Sequence, residues 1–173
     1  PDALLALSSE RLNADRERFG DRAVYKTAIG THGGGAWQVD LGEPLNPRVG
    51  ERQAFLQELV DPPGDRPFDA RVYVVDGTVH GTMFRYAQEG EWRTNVSLGG
   101  DVSDASGELP ETALENAVRA AEVVGLDYAG VDLIPKGEDW QVLEVNPTAG
   151  FRGLFKATGT SPAPYIAAAA LDR

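Results

Sequence analysis

Hydrophobic and polar positions along this chain alternate in short runs, most of them closed by Gly, Pro or an Asp-Gly pair. Short alternating runs predict strands, and longer runs with a three-to-four spacing predict helices. Residues 3–7 read as a strand. Residues 9–19 read as a helix with Ser8 or Ser9 as cap and Gly20 as stop. A β-type run at 23–26 and another at 36–39 flank the glycine-rich stretch 30–35, which predicts a hairpin with an over-long loop. Residues 53–60 form a mainly apolar strand. The Asp61-Pro62-Pro63-Gly64-Asp65 break then marks a boundary and hinge between a first lobe, 1–60, and a second, 61–173.

The second lobe is richer in β pattern. Runs at 70–75 and 78–87 flank Asp76-Gly77, the preferred pair for a two-residue type I′ turn. Residues 110–125 read as a helix started by Pro110 and stopped by Gly125, with Ala113, Leu114, Ala117, Val118, Ala121 and Val124 on its apolar face. Two further strands, 128–134 and 140–145, are joined by a polar turn, and 164–171 reads as a closing helix. Hairpins with interspersed helices and few βαβ spacings give an α+β fold.

Composition adds little to that reading except through charge. The 173 residues are 42% hydrophobic and 25% charged, as expected of a globular domain. No apolar run is long enough to span a bilayer, which argues against a membrane. The opening Pro1-Asp2-Ala3-Leu4 lacks the basic segment of a secretory signal, so a cytoplasmic location is the default expectation. With no cysteine, disulfides and thiolate metal sites are excluded. The 27 acidic against 16 basic residues leave a net charge of −11, which argues against nucleic acid as a partner. Such acidity is expected either of a protein adapted to a salt-rich cytoplasm or of an ordinary acidic one.

Three constellations could carry chemistry. Glu144 and Asn146 share one face of their strand, and pairing of 132 with 144 about a turn centred on 138 would put Asp132 beside them. Two carboxylates and an amide, with no His or Cys, suit Mg²⁺ or Mn²⁺. The alternative is a set of solvated strand residues. The glycine-rich loop, with Gly33, Gly34 and Gly35 following Lys26, can expose backbone N–H groups to phosphates. It matches neither the Walker A nor the dinucleotide pattern, and a flexible hairpin tip would look the same. Arg85 and the run Arg93-Thr94-Asn95 can neutralise charge on a transferring phosphoryl group, or simply balance an acidic surface. The two histidines are too dispersed for a zinc site.

In order, these pieces resemble the ATP-grasp superfamily, and within it the RimK-type glutamate ligases. The likeness is carried by Val24-Tyr25-Lys26, the loop 30–35, Phe55-Leu56-Gln57-Glu58-Leu59-Val60, Asp69-Ala70-Arg71, Gly90-Glu91-Trp92-Arg93-Thr94-Asn95, Leu98-Gly99-Gly100, Tyr128-Ala129-Gly130-Val131-Asp132 and Leu143-Glu144-Val145-Asn146-Pro147. The resemblance implies two α+β lobes with antiparallel sheets enclosing a nucleotide cleft, ATP as the nucleotide and Mg²⁺ as the metal. It puts Lys26 on the phosphates, the glycine loop over them as a lid, Glu58 and Leu59 at the adenine, and Asp69 near the ribose. Arg93, Thr94 and Asn95 would line the phosphate site, with Arg93, Asn95 and Arg85 assisting transfer, and Asp132, Glu144 and Asn146 would hold the metal. The implied reaction phosphorylates an acceptor carboxylate to an acylphosphate, from which an amino acid, glutamate in this family, displaces phosphate.

Two departures stand out. Thr27 occupies a position where the family usually has proline, and Arg152 one where it tends to be acidic, so Arg152 could grip a substrate carboxylate or signal a different amine donor. The family also places a substrate-binding domain before these residues. The chain by itself is therefore expected to bind nucleotide but ligate poorly. A nucleotide-binding module without catalysis and an ATP-grasp ligase for another amino acid or peptide are the alternatives. The acceptor, whether a protein tail, a coenzyme or a carrier protein, and homo-oligomerisation are not legible in these residues.

Overall fold

The computed structural model describes residues 1–27, 35–45, 54–96 and 99–171, and the chain divides into two compact units, Pro1–Val60 and Asp61–Arg173. In the first unit, β1 (Ala3–Ala6), β2 (Arg22–Thr27), β3 (Ala36–Asp40) and β4 (Ala54–Glu58) form an antiparallel sheet in the order β1-β4-β2-β3, with α1 (Ser9–Ala14) beside it. Ala23 and Tyr25 project from one face of β2 and meet Leu56, Leu12 and Phe19 in a small core.

The helix expected over 9–19 is divided. Ser8 caps it, accepting a hydrogen bond from the Arg11 N–H at 3.2 Å, but the α-helix ends at Ala14 and Arg16–Phe19 continue as a 3₁₀ turn. Contacts with the segment after β3 account for the change. Asn13 exchanges two hydrogen bonds with the Leu45 backbone, at 2.7 and 2.9 Å, and Arg16 donates to the Leu41 carbonyl at 3.2 Å.

The second unit contains β5 (Phe68–Val75), β6 (Thr78–Tyr86), β7 (Asp101–Asp104), α2 (Glu111–Val123), β8 (Tyr128–Lys136), β9 (Asp139–Asn146), α3 (Arg152–Thr158) and α4 (Ala163–Leu171). Its sheet is antiparallel throughout, in the order β7-β6-β5-β8-β9. Asp76 and Gly77 turn β5 into β6 with φ of 47° and 69°, the positive pair that a type I′ turn requires.

Alternation along the strands gives this sheet two different faces. One carries Ala70, Val72, Val74, Val131 and Leu133 and is covered by Ala113, Ala117 and Ala121 of α2. These are small helix residues that allow close approach. Val124, expected on that helix face, is instead the C-cap and 55% exposed. Gly125, at φ 70°, turns the chain there, and Leu126 packs in its place.

The opposite face carries Tyr73, Met83 and a line of charged side chains, with Leu154 of α3 packed on it. α3 and β7 were not expected from the sequence. α3 fits here because Gly81 has no side chain: a Cβ there would lie 2.6 Å from Leu154 Cδ2. Among the described residues, no helix is long and apolar enough to cross a membrane.

Candidate functional site

The charged line on the second sheet is set by strand pairing. Asp132 of β8 lies opposite Arg71 of β5 on one side and Glu144 of β9 on the other, and Asp69 of β5 lies opposite Arg85 of β6. Directly opposed residues of antiparallel strands share a face, so all five side chains project together. The Arg71 guanidinium meets Asp132 through two bonds, Nε to Oδ1 at 2.6 Å and Nη2 to Oδ2 at 2.7 Å. Arg85 grips Asp69 in the same way, with both distances 2.6 Å, and its Nη2 also reaches Asp132 Oδ2 at 2.9 Å.

Asp69, Arg85 and Asp132 are all nearly inaccessible to solvent. Burial works against every one of these charges, so the balance of partners decides each titration. For Asp132 the attraction of Arg85 and Arg71 overcomes burial and holds the carboxyl below its ordinary range. For Asp69 burial wins over the pull of Arg85, aided by repulsion from Asp132, and the carboxyl is raised. Both guanidiniums are held more firmly protonated despite burial, through their bonds and charge pairing with the aspartates.

Glu144 and Asn146 lie above this line. Glu144 is exposed and Asn146 half-buried. The Asn146 amide donates to Glu144 Oε1 at 3.0 Å and more distantly to Asp132 Oδ2 at 3.4 Å. The structure thus brings together the three residues expected to form the metal set, with Asp132 already shared by two arginines. Among the described residues, no three His, Cys, Asp or Glu side chains converge as a metal group, and this set has two carboxylates with an amide.

The alignment of Asp132 with Glu144 depends on a bulge that the sequence reading did not contain. The turn is shorter than expected: Lys136 pairs with Asp139 and Leu133 with Val142, which on its own would bring Leu143 opposite Asp132. A register shift between Asp132 and Leu133 absorbs Leu143 and restores the pairing of 132 with 144. The segment after Asn146 is held by two phenols. Tyr73 donates to the Gly150 carbonyl at 2.9 Å and Tyr128 to that of Ala149. Gly130 makes room, because a Cβ there would collide with the Ala149 methyl. Burial, with the neighbouring Tyr73, pushes Tyr128 up to about 12.

Beyond β6, Glu91 gathers the backbone N–H groups of Trp92 and Arg93 at 2.9 and 3.1 Å, and its Oε2 takes Arg93 Nη2 at 2.7 Å. The Arg93 side-chain bond lowers the Glu91 carboxyl to about 2. Thr94 places its hydroxyl on Asp69, and Asn95 follows, half-buried.

In the first unit, Lys26 is the penultimate residue of β2, opposite Ala36 and Phe55. Gly35 accepts the Thr27 N–H at 2.9 Å. Glu58 ends β4 opposite Ala23 and accepts a hydrogen bond from the Asp2 N–H at 3.2 Å, and Leu59 follows half-buried. Gly33 and Gly34, expected in the lid, and Leu98 lie outside the described residues. The residue missed as a site member is Arg71, whose spacing from Asp69 put it on the same face but whose partner on β8 lies 61 positions away.

The model of the RimK-like ATP-grasp domain family matches residues 42–170 of this chain. A tetrahydromethanopterin:alpha-L-glutamate ligase of Methanocaldococcus jannaschii is 34% identical over 146 residues, covering 80% of this chain and 49% of that protein. A probable alpha-L-glutamate ligase of Alkalilimnicola ehrlichii is 37% identical over 152 residues, covering 85% and 49%. The chain therefore spans about half the length of these curated relatives. Among solved structures, the ATP-grasp ligase PsnB complexed with precursor peptide PsnA2 and AMPPNP superposes with a TM-score of 0.73 over 99% of this chain and 52% of that one. At 24% identity this likeness concerns the fold alone.

Proposed function

The chain belongs to the RimK-like ATP-grasp family, and from that premise we propose that it carries the ATP and Mg²⁺ site of a ligase joining glutamate, or a similar amino acid, to an acceptor carboxylate. The observation that supports this most is the register of β8 and β9, which gathers Asp132, Glu144 and Asn146 on one sheet face above two arginines. Carboxylate and amide oxygens are the donors a hard cation prefers, so the set fits Mg²⁺. Glu144 presents the accessible carboxylate, Asn146 supplies an amide oxygen, and Asp132 lies beneath them.

When bound, the metal would offset the charge of the ATP phosphates during transfer. The protein residues position and neutralise. Arg93, Thr94 and Asn95 would line the phosphate side and Arg85 adds a fixed positive charge beneath Asp132, while Lys26, Gly33, Gly34 and Gly35 are the further phosphate contacts that the family resemblance implies. The acceptor carboxylate takes the γ-phosphoryl group of ATP, releasing ADP. The amine of the amino acid then displaces phosphate and loses a proton, and an amide remains. Glutamate as the donor is supported by the names of the two curated relatives.

Thermal unfolding with and without nucleotide tests this reading. At ~100 times its dissociation constant a ligand adds about 2.7 kcal/mol to stability, which corresponds to a rise of several degrees for a chain of this size. The rise should require Mg²⁺ and should be lost in Glu144→Gln, whose exposed position leaves the fold intact. An unchanged melting temperature for the wild-type chain in millimolar Mg·ATP would overturn the proposal.

A further inference from the structure

Asp69 has no open surface from which to meet a ribose. It is 3% exposed, and both oxygens are engaged. Arg85 donates to each of them at 2.6 Å, and the Thr94 hydroxyl donates to Oδ2. Arg85 continues from the same Nη2 to Asp132 at 2.9 Å. A chain of charge-assisted bonds, Asp132–Arg85–Asp69–Thr94, therefore runs from the face bearing the metal set to the segment that carries Arg93 and Asn95. That segment has no helix or strand of its own to hold it. On its other side it packs against Gly100, where a Cβ would lie 2.9 Å from the Thr94 carbonyl oxygen and 3.2 Å from that of Asn95. A hydroxyl bound to a buried carboxylate fixes both the side chain and the backbone behind it.

We propose that Asp69 is a positioning residue: through Arg85 and Thr94 it sets residues 93–95 in register with the Asp132 face, and it does not contact the nucleotide. This rests on the reading of the site as an ATP site. Loss of a hydrogen bond to a charged group lowers affinity on the order of tenfold.

The experiment measures the dissociation constants of Mg·ATP, Mg·2′-deoxy-ATP and Mg·3′-deoxy-ATP for the wild type, Asp69→Asn, Thr94→Val and Thr94→Ser. It also follows amide hydrogen exchange at residues 91–96 without nucleotide. Thr94→Val should weaken ATP about tenfold and raise exchange in that segment, whereas Thr94→Ser, which keeps the hydroxyl on Asp69, should restore the low exchange of the segment. Asp69→Asn should weaken all three nucleotides by one factor, and the Asp69→Asn/Thr94→Val double variant should be no weaker than either single variant. Discrimination against a deoxynucleotide that vanishes in Asp69→Asn would reveal a direct ribose contact and overturn the proposal. Unchanged exchange at 91–96 in Thr94→Val would also overturn it, even if Asp69→Asn fails to fold. Should the wild-type chain bind no ATP while exchange responds as stated, the nucleotide reading fails and the positioning role stands.

Discussion

Asp132 and Glu91 show how differently two paired carboxylates can behave. Asp132 is buried between two guanidiniums, where removing one partner leaves an uncompensated charge in a poorly solvated place. Glu91 is half-buried, and its lowered pKa comes first from the Arg93 side chain and then from the Arg93 and Trp92 backbone N–H groups. With its folded value of about 2 below the ordinary 4.5, Glu91 contributes stability that is fully present above about pH 4.5 and is lost as pH falls through 2. Following the Glu91 carboxyl carbon by NMR should therefore give a midpoint near 2 in the wild type and one closer to 4.5 in Arg93→Gln. A wild-type midpoint above 4 would mean that the pair does not hold in solution. The site was legible unevenly at this scale. Asp132, Glu144 and Asn146 could be grouped because alternation and one turn almost fix a hairpin. The partner of Arg71 could not, because the adjacency of β5 and β8 joins strands separated by a helix and two other strands, and Asp69 comes opposite Arg85 only through the register shift between Tyr73 and Val74 in the β5–β6 hairpin.

Among the elements, those with a strong local signal were read closely, and those that exist through packing were missed. The Asp76-Gly77 turn and α2 carry their own instructions in turn chemistry and helical spacing. β7 has four residues in a polar run, and α3 has seven residues, contains Gly153 and lacks a side-chain cap. What holds α3 is Leu154 fitting over Gly81 and Gly153 fitting against Met83, contacts that no local pattern announces. The two kinds of glycine separate in their expected costs. Gly77→Ala should cost about 1 kcal/mol, from the left-handed backbone alone, because its Cβ would come no nearer than 3.8 Å to Glu122. Gly81→Ala should cost about 1–3 kcal/mol by overpacking, and that penalty should shrink in a Leu154→Ala background, where the clash at 2.6 Å is gone. Denaturant unfolding of the four variants measures both. Equal costs in the two backgrounds would show that Leu154 does not seat α3.

For the whole molecule the dominant quantity is charge, and it is unevenly placed. Asp61–Arg173 holds 18 acidic against 9 basic residues, while Pro1–Val60 holds 9 against 7. Within the second unit the buried network of Asp69, Asp132, Arg71 and Arg85 is neutral in sum, so the excess belongs to the remaining, more accessible positions. Charges near the surface are screened within about 3 Å at molar salt, whereas a buried network is screened far less. Added KCl should therefore relieve the repulsion and leave the ion ladder beneath the sheet face in place. The expected outcome is a melting temperature that rises from dilute to molar KCl. Amide protection should increase more across Asp61–Arg173 than across Pro1–Val60, and Glu144→Gln should not alter the trend. A fold no more stable in molar than in dilute salt would exclude salt adaptation. A rise confined to the first unit would show that its origin is not the excess acidic charge, because that unit is nearly balanced.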